Sequence, residues 1–205
     1  MYQGIKTKVM TGEVRVSYAH LVEPYANPAT PGAEPKFSVT ALIPKTDVAT
    51  FEDIKASMAA AYEQGVQDKW KGARPQLKNA LIYDGDGLKS DGTPYGPECK
   101  GCWVLSARTN RRPQVVHVSN PSVELAPTDI YSGMYARITI NFYPYSGQQK
   151  GVAAGLSNVF KTRDGEPLSG GASAASEFDG IAGEYSQAAP ATAPAINPIT
   201  GQPMY

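Results

Sequence analysis

At 205 residues, with 41% hydrophobic and 19% charged residues, the chain is long enough to bury a core without disulfide or metal staples. Its formal net charge is zero, but all 19 basic residues and 14 of the 19 acidic ones lie at or before Arg163, leaving a body of +5 and a tail of −5. Two cysteines exclude a disulfide framework, no apolar run approaches ~18 residues, and the start MYQGIKTKVM has no signal-peptide core. A soluble protein of a reducing cell interior is expected, with no membrane partner.

The first strand signal is Glu13–Tyr18, where Val14, Val16 and Tyr18 share one side, and Tyr18 is expected to pack inside. Four prolines in Glu23–Pro35 mark an extended loop. Alternation returns at Phe37–Ile43, with Phe37, Val39, Ala41 and Ile43 on one side, and Pro44 stops it. A helix follows, capped by Thr46 or Asp47, with Val48, Phe51, Ile54, Met58 and Ala61/Tyr62 at helical spacing. Gly65 ends it or marks its last turn. Residues 72–101 are rich in Gly, Pro and Asp and read as a long loop. Strands resume at Trp103–Thr109, Gln114–Val118, Met134–Tyr143 and Val152–Phe160. After Leu168 the chain turns Ala-, Gly-, Ser- and Pro-rich, a composition that predicts disorder. About six short strands and one main helix give an all-β barrel or sandwich.

One strand carries two chemistries. In YSGMYARITINFYPY, residues 131–145, Met134, Ala136, Ile138, Ile140 and Phe142 make a core face. Tyr135, Arg137, Thr139, Asn141 and Tyr143 make the other. Bases stack on aromatic rings and phosphates pair with arginine, so that second face suits single-stranded nucleic acid. The ordinary alternative is a solvated sheet face, since Tyr and Thr favour strands anyway.

Other motifs point to less. The CKGC at 99–102 offers two thiols, and only His20 and His117 are available to complete a zinc set, so two reduced cysteines in a loop are expected. Asp84, Asp86, Asp91 and Glu98 sit among glycines and prolines, which favours turns over a cation site. Neither histidine stands in a triad pattern and GxxxxGK[ST] is absent. The chain is expected to be no enzyme, with no cofactor and no metal.

Taken in order, GEVRVSYAHLVEP at 12–24, EPKFSVTALIPK at 34–45, KW at 69–70, the DGDG loop at 84–87, RTNRRPQVV at 108–116, YSGMYARITINFYPY at 131–145 and KGVAAGLSNVFKTRDGEPLSG at 150–170 resemble a tailed-phage family of single-stranded DNA-binding proteins. The family was long catalogued only as a domain of unknown function. The resemblance runs from Gly12 to about Asp179. It implies an oligonucleotide-binding (OB) barrel over residues 1–168, followed at 169–205 by a disordered tail, acidic and then Pro/Ala-rich. It also implies a phage-encoded protein of the host cytoplasm that coats single-stranded DNA in replication or recombination, with little sequence preference. The helix comes earlier than in a standard OB-fold, so an elaborated barrel is expected.

On that resemblance the expected DNA contacts are Arg15, Lys36, Arg108, Arg111, Arg112, Arg137 and Lys150 for phosphates. Tyr135 and Tyr143 are the first choice for stacking, with Trp103 a lesser one. Glu177, Phe178 and Asp179 are expected to compete with DNA or to recruit replication or recombination proteins. The family's tip is acidic and aromatic, whereas here that cluster is internal and is followed by a neutral extension ending in Met204 and Tyr205. A homodimer is left open. Two rival readings remain: a structural β-barrel that presents its aromatics to another protein, and a cation-dependent nuclease using the aspartate loop.

Overall fold

Alternating apolar residues give strands whose inner faces meet, and here they close a ring. The computed structural model describes residues 2–168 except 27, 29–31, 78–79 and 148. The expectations placed on Glu177, Phe178 and Asp179 lie outside the described residues. The elements are β1 (Lys8–Met10), β2 (Val14–Tyr25), β3 (Lys36–Pro44), α1 (Val48–Gln64), β4 (Ile82–Asp84), β5 (Cys102–Thr109), β6 (Val115–His117), β7 (Asn120–Glu124), β8 (Tyr135–Ser146) and β9 (Lys150–Arg163).

Strand β3 lies antiparallel between β2 and β5, and β8 lies antiparallel between β2 and β9. Strand β9 then meets β5 in parallel, with Arg108 opposite Gly155, and the ring β8–β2–β3–β5–β9–β8 is complete. Counting only these five strands, the order is 1-2-3-5-4-1, which is the OB arrangement. Strand β1 continues the β2 edge along β8, β4 continues the β9 edge along β5, and β6 and β7 extend the sheet beyond β9. The expected core face of β8 is buried from Met134 to Phe142 at alternate positions, against Val39, Ala41, Ile43, Leu105, Ala107 and Val159.

Helix α1 lies between the second and third barrel strands. Asp47 caps it by accepting the Thr50 N–H at 3.0 Å. Its N-terminus docks where Gly12 donates its N–H to Thr50 Oγ1 at 2.7 Å. The last turn widens into a π-turn, Gly65–Lys69, that delivers Trp70 into the core. A side chain at Gly65 would lie 2.7 Å from the Trp70 ring and 2.8 Å from Pro144. Trp70 Nε1 donates to the Tyr145 carbonyl at 3.0 Å, so the helix buttresses the end of β8. Among the described residues no helix is long and apolar enough to cross a membrane.

Three expectations need correction. Tyr18 does not pack inside: it is 67% exposed, because β2 bulges between Ser17 and His20 and turns its ring outward. The stretch 72–101 is not all loop, since Ile82–Asp84 finds a free edge on β5 and Pro97–Cys99 forms a 3₁₀ turn. The described strands number nine, the added short ones being held by partners and lacking any pattern of their own.

Replacing Trp70 by Ala should cost about 3–5 kcal/mol, the range for deleting a buried aromatic ring. Trp70→Phe should cost less, near the ~0.5–1.5 kcal/mol of one hydrogen bond plus some packing. Urea unfolding reads both, and a loss under about 1 kcal/mol for Trp70→Ala would contradict the buttress.

Candidate nucleic-acid interface

Along β3 and β5 the outward positions divide into two zones. At one end Leu42 and Val104 face outward and would be wet, but Cys99, Tyr95, Cys102 and Leu168 cover them. The covering loop is pinned by its aspartates. Asp86 accepts the Gly101 N–H at 2.9 Å, and both Asp84 and Asp86 hold Lys45. Their side-chain hydrogen bonds to Lys45 keep both carboxyls below the ordinary aspartate range. Asp91 is likewise occupied, by the Thr93 hydroxyl and N–H. Burial pushes the Cys99 thiol up to about 11, so it stays protonated and is a poor nucleophile. Among the described residues, no three His, Cys, Asp or Glu side chains gather as a metal site.

At the other end the outward positions are small and polar, and no described residue covers them. Ser38, Thr40 and Ser106 floor an open groove of about 1530 Å³, with Thr40 and Ser106 sharing a hydroxyl hydrogen bond of 2.9 Å. A transverse row crosses the barrel here: His20 opposite Ser38, Ser38 opposite Arg108, Arg108 opposite Gly155. Lys36, Arg108, Arg111 and Lys150 line the groove, and Glu34 is the one carboxylate among its described lining residues. None of the four cations is in an ion pair among the described residues. Unneutralised cations around a polar floor make a site for a polyanion.

Aromatic rings line the same groove. His20 and Tyr25 stack on each other at 4.3 Å with 7° between planes. Tyr83, Tyr143 and Tyr145 face them from β4 and β8. Two glycines of β9 make room for the β8 rings. A side chain at Gly155 would lie 3.1 Å from the Tyr143 ring, and one at Gly151 would lie 2.6 Å from that of Tyr145.

Of the ten expected contacts, the groove collects Lys36, Arg108, Arg111, Tyr143 and Lys150. Arg112 is exposed beside it but does not line it. Arg15 donates to the Glu166 carbonyl at 2.8 Å, and Arg137 donates to the Thr11 carbonyl at 2.9 Å. The Tyr135 ring lies 3.4 Å beneath the Arg163 guanidinium, which Glu13 holds. Trp103 stacks on Phe51 of α1 at 4.5 Å, with Lys45 Nζ 5.0 Å from its ring centroid. The polar face of β8 is therefore not one platform. The extra residues at the register shifts Tyr135/Ala136 and Ile138/Ile140 fall in β9, and β8 keeps its alternation, but the two ends of its outer face meet different surroundings. Sequence reasoning missed Tyr18, His20, Tyr25, Tyr83 and Tyr145. The one signal that could have found them was their clustering in segments that flank alternating strands.

Residues 7–189 match the family described as "Enterobacter phage Enc34, ssDNA-binding protein". Protein p50 of Acyrthosiphon pisum secondary endosymbiont phage 1 is 30% identical over 184 residues, spanning 85% of this chain and 94% of that relative. The solved single-stranded DNA-binding protein from bacteriophage Enc34 in complex with ssDNA is 30% identical, with a TM-score of 0.67 over 79% of this chain and 89% of that one. The single-stranded DNA-binding protein gp2.5 of bacteriophage T7 shares the fold at 14% identity, with a TM-score of 0.53 over 80% and 90% of the two chains.

Burial holds the His20 pKa below its ordinary value of 6.5. As pH falls the unfolded chain takes that proton first and the folded chain only lower, so folded stability drops across the interval between. The loss in Tm between about pH 7.5 and about pH 5.5 should shrink in His20→Gln. An unchanged loss would contradict the burial argument.

Proposed function

The chain belongs to the Enc34 phage single-stranded DNA-binding protein family, and on that footing we propose that it coats single-stranded DNA through the groove across β2, β3 and β5. The observation that carries the site is the coincidence, on one uncovered polar floor, of a wall of aromatic rings with four cations that have no ion-pair partner among the described residues. Lys36, Arg108, Arg111 and Lys150 follow the phosphates. Tyr25, Tyr83 and Tyr143 receive bases, whose faces are free only in a single strand. Stacking is tolerant of base identity, so sequence preference is weak. The work is binding and not catalysis: the aspartates that a nuclease would need are tied to Lys45 or to turn N–H groups.

Phage replication or recombination in the host cytoplasm is where such a coat serves. The acidic tail, outside the described residues, is complementary in charge to the groove and competes for it or recruits replication or recombination proteins.

Binding of a labelled oligothymidine, followed by fluorescence anisotropy at two salt concentrations, tests the site. Affinity should fall as salt rises, with duplex DNA a poor competitor. Removing one phosphate-binding cation, by Arg108→Ala or by Lys150→Ala, should lower the slope of log K against log salt by about 0.7. Absence of binding, or a slope unchanged in both variants, would overturn the assignment.

A further inference from the structure

Strand β2 breaks its own alternation between Ser17 and His20. Val14 and Val16 are fully buried, Ser17 is buried as well, and Tyr18 is then 67% exposed. Ser17 pairs with Thr40 and His20 with Ser38, so Tyr18 and Ala19 together stand opposite Val39. That is a β-bulge. At Tyr18 the backbone is left-handed, with φ of 47°. Bulges that need this conformation ordinarily place glycine there, because a β-carbon clashes with the neighbouring carbonyl. A bulky aromatic at positive φ is an outlier.

The surroundings enforce it. The Ala19 N–H, lost to β3, donates to Ser132 Oγ at 3.0 Å. Val16 donates to the Met134 carbonyl at 2.9 Å and accepts from the Gly133 N–H at 2.7 Å. The bulge is thus clamped from the segment leading into β8. Yet the Tyr18 ring and hydroxyl have no hydrogen-bond or ring partner among the described residues, so the side chain itself adds no such contact to set against the strain. Tyr18 lines the same groove as the Thr40–Ser106 hydroxyl pair. His20 and Tyr25 cover each other, and Tyr143 lies against Gly155. Backbone strain held at an exposed residue with no folding role points to function.

We infer that Tyr18 is a nucleobase-stacking platform, held out into the groove by a strained bulge at the expense of folding stability. The inference rests on the reading that the groove binds single-stranded DNA.

The test uses the full chain with Tyr18→Gly and Tyr18→Phe, an oligothymidine, and the same oligomer with abasic sites in place of its bases. Tyr18→Gly should leave Tm unchanged or raise it by up to about 2–4 °C, while weakening oligothymidine binding about ten-fold. Tyr18→Phe should keep both near wild type. On the abasic oligomer, wild type and Tyr18→Gly should bind alike. Wild-type affinity for oligothymidine retained in Tyr18→Gly, an equal loss on the abasic oligomer, or a fall in Tm accompanying the loss would each overturn the inference. Failure of the wild-type chain to bind oligothymidine would instead overturn the reading of the groove, and it is seen before any variant is made.

Discussion

The closure of five strands by β8 is the constraint from which the rest follows. This one strand hydrogen-bonds to β2 and then β1 along one edge and to β9 along the other. It is fully buried on its inner face from Met134 to Phe142. With β8 in place, β9 is carried round to meet β5, where Arg108 and Gly155 form the seam. Trp70 fixes the far end of β8 through the Tyr145 carbonyl, and the Ser132–Met134 segment before β8 clamps the bulge in β2. Both walls of the groove are therefore set by the same strand.

Whether an outer face is covered or open follows from its side chains. Leu42 and Val104 would expose apolar surface, and the loop ending at Cys99 removes it from water. Ser38, Thr40 and Ser106 gain nothing from such a cover and stay wet. Gathering Lys36, Arg108, Arg111 and Lys150 around them raises like-charge repulsion in the folded state. On the proposed reading, a phosphate chain entering the groove relieves that repulsion, which links the cost in stability to the gain in binding.

Much of this was legible in the sequence, and the illegible part has one physical cause. The alternation of Val39–Ile43 and of Met134–Phe142 gave strands with the correct inner faces, while Phe37 lies only half-buried outside the core. A cap at Thr46 or Asp47 was readable because an acceptor before an apolar helical stripe satisfies a free N–H, and the structure selects Asp47. Tyr18 was misread because one inserted residue inverts every later position of a period-two pattern, and no residue type marks it where tyrosine replaces the usual glycine. Tyr135, Arg137 and Tyr143 do share the outer face of β8, but Thr11, Glu13 and Arg163, distant in sequence, take up one end of it, which local alternation does not record. Short strands such as β4 and β7 owe their existence to a free edge elsewhere, which local sequence does not record.

The most direct test of where the nucleic acid lies is photo-crosslinking. The full chain would be irradiated with an oligodeoxyuridine carrying 5-iodouracil and the crosslinked peptides mapped by mass spectrometry. The account predicts adducts on groove rings, Tyr18, Tyr25, Tyr83 and Tyr143. Adducts concentrated on Tyr135 or Trp103 would place the strand on another face of the barrel and contradict it.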